Sequence, residues 1–332
     1  MLLLKNKLLL KNKIIKIKCM KKYLIIILIF VYFLFAGDNK SSSTALFLKI
    51  TPGSRPAGMG NAFVGISDDV NSIYFNPAGT TLVLYPELFI SYLQWFEGIN
   101  STYLGFVYPF GKQSVGVAVN YLSFGGGFEF RDENGGLIEN AQDIYNAAIV
   151  LTFARSFTKN LNLGISVKSI LQKYGQYNAN GFAADISGLF LIEKFSFGLN
   201  VQNLGTQIIV SDVVNNLPFS IRFGAGYKPK NNISIGLDIE KPQDANIKFY
   251  TGAEYIYQDK YFVRVGYNQI DNVDLQKGWC FGVGVKTEIG KETSWEKISA
   301  IGVRSSLDYA VTYFGEELGY IHRISLVFEF VK

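Results

Sequence analysis

From about residue 87 onward, apolar and polar positions alternate. Leu161, Leu163, Ile165 and Val167 interleave with Asn162, Gly164, Ser166 and Lys168. Phe219, Ile221, Phe223, Ala225 and Tyr227 interleave with Ser220, Arg222, Gly224, Gly226 and Lys228, and the same pattern recurs through 195–202, 233–240 and 279–286. Period two, with β-branched and aromatic residues on one side, predicts strands. The segments fall at 87–97, 101–110, 113–124, 141–157, 161–173, 180–193, 194–204, 217–228, 231–240, 246–257, 260–269, 278–289, 297–314 and 320–332. That is fourteen, an even number, most of them long enough to cross a bilayer when tilted.

Alternation alone fits a soluble sandwich as well as a membrane barrel. The connections separate the two. Gly111-Lys112, 158–160, Glu193-Lys194, 229–231 and 258–260 are short and polar, whereas the intervening connections include the long ones, 125–140, 205–216 and 270–277. Short turns at one end and longer loops at the other are how outer-membrane barrels are built. The connection around 290–296 breaks the parity by being longer. The expected fold is all-β: a closed, up-and-down antiparallel transmembrane β-barrel of about fourteen strands. Its apolar series faces lipid and its glycine, serine, asparagine and charged series faces the lumen. Tyr108, Phe110, Tyr255, Tyr257, Tyr261, Tyr267 and Phe330 stand near strand ends, where aromatic girdles form.

Composition sharpens this. Charged residues are 18% and aromatics 15% of the 332 residues, which suits an outer surface in contact with something other than water. The net charge of +5 comes from the first 36 residues, which hold eight lysines and no acid; the remainder has 24 basic against 27 acidic residues, a net of −3. Nucleic acid, which selects basic surfaces, is thereby excluded as a partner. Residues 1–36 read as an export signal: Lys21 and Lys22, an apolar run over 23–35, then Ala36 and Gly37 for cleavage. The run is short for a permanent span. Met20 begins a complete signal by itself. Cys19 precedes the apolar run, which leaves Cys280 as the one cysteine after it, so neither a disulfide framework nor a cysteine-rich zinc site is expected.

Residues 37–86 do not alternate, are rich in Gly and Pro, and predict a hatch folded inside the lumen, because a barrel this wide is not filled by its own side chains. Ala57-Gly58-Met59-Gly60-Asn61-Ala62-Phe63-Val64, then Asp68-Asp69 and Asn76-Pro77-Ala78-Gly79, resemble the N-terminal hatch of the PorV/PorQ family of outer-membrane proteins. That family is related to the FadL-type long-chain fatty-acid transporters, whose hatch carries an Asn-Pro-Ala motif. Ser306-Leu307-Asp308-Tyr309-Ala310 and the stretch 318–326 are similar to the family's closing strands, as are 201–205 and 217–220, so the resemblance covers about 45–332. The chain departs from it by ending Phe330-Val331-Lys332 instead of on an aromatic.

The resemblance implies a non-enzymatic protein in the outer membrane of a Gram-negative-type bacterium, in contact with outer-membrane lipid. It implies first a role in export or surface attachment of proteins, with type IX secretion-system proteins or secreted cargo as partners. The alternative is a conduit for hydrophobic small molecules, and a sealed architectural barrel is a third reading. Asn76-Pro77-Ala78 reads either as a ligand-sensing turn or as a plain turn, since the residue before proline is pushed out of the helical region. Gly58 and Gly60 lack the strand–helix context and the third glycine of a nucleotide loop. Asp68 and Asp69 read as a turn or cap before a cation site. Lys168, Arg222, Asp238, Glu240, Glu254, Arg264 and Glu329 share the lumen parity, as a selectivity lining or a structural network. Asp238, Glu254 and Arg264 come from successive strands and are expected side by side. His322 stands without the partners that catalysis or a metal needs, no Gly-x-Ser-x-Gly elbow is present, and no cofactor or metal is expected.

Overall fold

The computed structural model describes residues 43–95, 98–125, 144–175, 177–210, 213–269, 278–289, 302–313 and 319–331. The expected export signal lies outside them, as do most of the 125–140 loop, the 270–277 loop and the 290–296 connection. The strands are β1 (Glu87–Gln94), β2 (Asn100–Phe110), β3 (Gln113–Ser123), β4 (Ile144–Ser156), β5 (Leu161–Tyr174), β6 (Tyr177–Ile192), β7 (Phe195–Gly205), β8 (Ile208–Val210), β9 (Val213–Asn215), β10 (Ser220–Lys230), β11 (Ile233–Pro242), β12 (Lys248–Tyr257), β13 (Tyr261–Gln269), β14 (Gly278–Ile289), β15 (Gly302–Tyr313) and β16 (Tyr320–Val331). Fourteen of them form one closed antiparallel barrel, in which each strand pairs with its neighbours along the chain and β10 pairs with β7. The ring closes between β1 and β16, from Glu87 opposite Glu329 to Gln94 opposite His322. Closure leaves no sheet edge unpaired, as hydrocarbon requires.

β8 and β9 stand apart as a hairpin inside what the sequence reads as a plain 205–216 loop. Strands of three residues are too short to register as alternation. The hairpin's purpose is visible in Ile208, which is fully buried against the inner side of Gly181 on β6.

β3 displays the membrane logic most simply. Val115, Val117, Val119 and Tyr121 point outward and are exposed, while Ser114, Ala118, Asn120 and Leu122 are buried. The outward row is apolar between Gln113 and Ser123. Ten residues at about 3.3 Å each, tilted by about 40°, give a belt about 25 Å tall. Aromatic pairs mark its rims: Tyr121 with Tyr145 (5.7 Å between ring centroids), Tyr267 with Trp279 (5.4 Å) and Phe195 with Tyr227 (4.7 Å).

One expectation needs correction. The inner side is not uniformly polar: Phe89, Tyr103, Val107, Ala118, Val150 and Ile170 are buried on the lumen side of β1–β5. In β2 the sequence Tyr103-Leu104-Gly105-Phe106-Val107 is apolar on both faces, so parity carries no sign there. These inward residues exist because something apolar fills the lumen beside them.

Candidate functional site

That filling is the segment 43–86. It runs as a 3-10 turn (Leu46–Lys49), a short helix (Ser54–Gly58), a second short helix (Ser72–Phe75) and another 3-10 turn (Pro77–Leu82) before entering β1. None is long enough to be stable alone; contact with the wall fixes them. Met59, Ala62, Phe63, Val64, Val70 and Ala78 are all completely buried. Phe63 meets Phe75 edge to face at 5.4 Å, which gives the plug a small core of its own.

Glycines set how closely plug and wall approach. A Cβ on Gly252 of β12 would lie 2.2 Å from the Met59 carbonyl oxygen, and one on Gly266 of β13 would lie 2.0 Å from the Gly60 nitrogen. Gly58 faces Gly282 of β14, with 2.8 Å between its own added Cβ and the Gly282 Cα. Gly60 also has φ 59°, a conformation that favours glycine. Gly79 sits against the Ser67 carbonyl. Asn76 is extended (φ −162°, ψ 92°), as the following Pro77 demands. Its side-chain amide donates to the carbonyls of Val64 (2.9 Å) and Gly188 (3.2 Å), so it ties two plug segments to β6. The Ala78 amide donates to Ser187 Oγ at 2.9 Å.

The lumen charges sort into separate networks. Arg55 of the plug donates to Glu254 on β12 through Nε (3.0 Å) and Nη2 (2.9 Å), and through Nη1 to Asp68 and Asp69, each at 2.7 Å. Glu254 also accepts from Arg264 at 2.6 Å, and Arg264 reaches Asp308 on β15 at 2.5 Å. Lys228 of β10 closes on Asp68. Asp238 belongs elsewhere, and the expected triad is divided: its Oδ2 accepts the amides of Phe63 and Val64, both at 2.9 Å, and pairs with Arg222 at 3.1 Å. Register is the reason. Glu254 lies directly opposite Arg264, but on its other side it faces Ser234, while Asp238 faces Tyr250. Arg222 stacks 4.2 Å from the Tyr250 ring and donates to the Asn61 carbonyl. Lys168 pairs with Asp185 at 2.8 Å, Glu240 accepts from Tyr250 Oη at 2.6 Å, and Glu329 pairs with Lys286 at 2.5 Å. His322 points outward, its Nδ1 2.6 Å from Tyr309 Oη. Sequence reading missed Arg55, a lone cation in a glycine-rich stretch, and Asp308, whose partner only the barrel register supplies.

Asp68 and Asp69 differ electrostatically. Burial pushes both carboxyls up; for Asp68 the charges of Arg55 and Lys228 more than offset this and hold it well below the usual range. For Asp69 burial dominates, Arg55 offsets it only in part and Asp68 adds repulsion, so its value is raised. The signs are therefore opposite. Ionised Asp68 stabilises the seated plug above the unfolded carboxylate range, and that stability is lost only as pH falls through its depressed value. Asp69 costs stability at neutral pH, and acidification through its raised value relieves the cost. Hydrogen-exchange protection of the Val70 and Asn71 amides at pH 7 is expected to rise in Asp69→Asn and fall in Asp68→Asn. The Asp69→Asn gain should vanish below about pH 4, where the unfolded carboxyl is also protonated.

Above the plug lies a cavity of ≈ 170 Å³, lined by Leu46, Leu48, Ile50, Tyr74, Trp95 and Tyr250, with Arg222, Glu240 and Lys248 at its polar side. Of the lining cations, Arg222 is paired with Asp238 and Lys49 with Asp244 at 2.6 Å. The lining is amphipathic: Leu46, Leu48, Ile50 and Trp95 offer apolar surface on one side, and Thr51, Asn61, Gln202, Asn203 and Ser220 join the charged groups on the other, so an apolar body and a polar group can both be met there. Among the described residues no group of His, Cys, Asp and Glu is arranged to hold a metal.

No family model matches the chain, and no curated protein matches it in sequence. Solved structures share its fold. The toluene transporter TodX of Pseudomonas putida superposes with TM-score 0.52 at 13% identity, over 82% of this chain and 96% of that one. The deltaS2 mutant of the TodX monoaromatic hydrocarbon channel gives TM-score 0.52 at 12% identity, over 83% and 96%. Identity this low carries a likeness of fold. With the closed ring and apolar belt described above, it places the chain among the outer-membrane β-barrels of Gram-negative type.

Proposed function

We propose that this barrel is a plugged conduit for small apolar molecules across the outer membrane, and that the cavity above the plug is where such a molecule is first held. The cavity carries the reading. A cavity of about 150 Å³ is large enough for benzene, so ≈ 170 Å³, with Leu46, Leu48, Ile50 and Trp95 on its apolar side, is room for one small aromatic or a short aliphatic segment. The fold shared with proteins described as a toluene transporter and a monoaromatic hydrocarbon channel agrees with that size. Of the roles implied by the PorV/PorQ resemblance, export or surface attachment of proteins needs no such cavity. The conduit is therefore preferred, which reverses the order that resemblance alone suggests.

Filling the cavity tests this. Leu48→Trp, at a buried position of the 3-10 turn, is expected to lower uptake of a monoaromatic hydrocarbon by intact cells about tenfold, while thermal stability of the barrel is unchanged. Unaltered uptake in a folded variant would contradict the assignment of the cavity.

A further inference from the structure

The plug is fastened unevenly. Towards β6, β7 and β10–β14 it is held by the glycine contacts and by hydrogen bonds, among them Ser196 Oγ to the Gly65 carbonyl (2.5 Å), Asn200 to that of Phe75 (2.9 Å) and Asp238 to two plug amides. Towards β16, Ser54 Oγ lies 2.9 Å from Ser325 Oγ, and towards β1 the Val70 amide donates to Glu87 at 2.8 Å and the Gly53 amide to Ser91 Oγ at 3.3 Å. Towards β2–β4, among the described residues, its one hydrogen bond joins Thr80 Oγ1 and Ser114 Oγ at 2.7 Å. The rest of that side is apolar: Val70, Ile73 and Val83 of the plug pack on Tyr103, Val107 and Ala118 of the wall.

This seam approaches the mouth along β4. Val150, in the same cluster, stands two residues from Ala148 on the inner side of β4, and Ala148 belongs to the upper cluster around Phe47 and Leu48. The strip ends in exposed apolar residues at both openings, Leu46 (55% exposed) above and Leu84 (82%) below. Parting this seam breaks one side-chain hydrogen bond, Thr80 to Ser114, and an apolar molecule entering it restores the lost burial. Parting the opposite side would strand backbone and charged groups. Within the seam Tyr103 is 3% exposed, and its hydroxyl has no partner in the structure. A buried hydroxyl with no partner in the closed protein is free to bond a polar atom of a guest in the seam.

We infer that cargo passes between the plug and β2–β4, the plug tilting about its glycine-anchored side, and that the Tyr103 hydroxyl bonds the single polar group of a cargo molecule, favouring a phenol over the parent hydrocarbon. This rests on the conduit reading. Two disulfides of like chemistry test the route in a Cys280→Ser background: Thr80→Cys with Ser114→Cys on the seam, and Ser54→Cys with Ser325→Cys outside it, on β16. The oxygens they replace are 2.7 and 2.9 Å apart, close enough that small adjustments form the bond. Uptake of a monoaromatic hydrocarbon by intact cells is expected to fall about tenfold with the seam pair oxidised, to return on reduction, and to persist with the β16 pair oxidised. Uptake that persists with the seam pair oxidised, or stops only with the β16 pair, overturns the route while leaving the conduit standing. Absence of uptake by the unmodified protein overturns the conduit and the route together. Tyr103→Phe should fold normally and lower the phenol-to-hydrocarbon uptake ratio about threefold; an unchanged ratio overturns the role of the hydroxyl.

Discussion

Arg55→Met is expected to unseat the plug without unfolding the barrel. The guanidinium holds Glu254, Asp68 and Asp69 at once, with the Glu254 side chain 1% exposed and those of the two aspartates 21% and 16%. Removing one partner of a buried ion pair typically costs 3–5 kcal/mol, because the remaining charges stay desolvated and uncompensated. Asp68 keeps Lys228 and Glu254 keeps Arg264, which moderates the loss to about 3 kcal/mol, or roughly two orders of magnitude in the open population. In planar bilayers the wild-type protein should be electrically silent and the variant should conduct. Arg55→Lys, which retains charge but not the fork, should fall between them. A silent Arg55→Met protein would mean that glycine packing alone retains the plug.

Gly266→Ala carries the second large effect. Its methyl group would stand 2.0 Å from the Gly60 nitrogen and 2.3 Å from the Met59 carbonyl carbon, both backbone atoms of a plug already in contact with β12 and β14. Overpacking usually costs about 1–3 kcal/mol, and the upper end applies where no side chain can swing aside. The wall is hydrogen-bonded on both sides of Gly266, so the plug must yield. Conductance should appear as it does in Arg55→Met. Gly188→Ala is the control, since the nearest atom is the terminal methyl of Leu163 at 3.4 Å, and it should remain silent.

The barrel was legible because lipid and lumen impose opposite demands on alternate residues, and β3 or β5 obeys them almost without exception. The plug was legible as the absence of that rhythm together with its glycines and prolines. Its contacts were not, because a glycine that admits another backbone leaves no side chain to announce it. The glycines at 224, 226, 236, 282 and 284 stood on the polar parity, yet nothing in the sequence pairs Gly58 with Gly282. Arg55 was invisible for a related reason: its partners lie 13, 14 and 199 residues away, and only the folding of the plug on itself and against β12 joins them. The inward apolar seam was hidden because β2 is apolar on both faces, so parity could not say which face was wet.

A plugged conduit and an open pore part company over which solutes cross. Initial uptake of a monoaromatic hydrocarbon and of a polar sugar of similar size, in intact cells with and without the chain, separates them. A hydrocarbon rate that rises with expression while the sugar rate stays at background is the expected result. A sugar rate that rises in step with the hydrocarbon, or a hydrocarbon rate that does not rise, contradicts it.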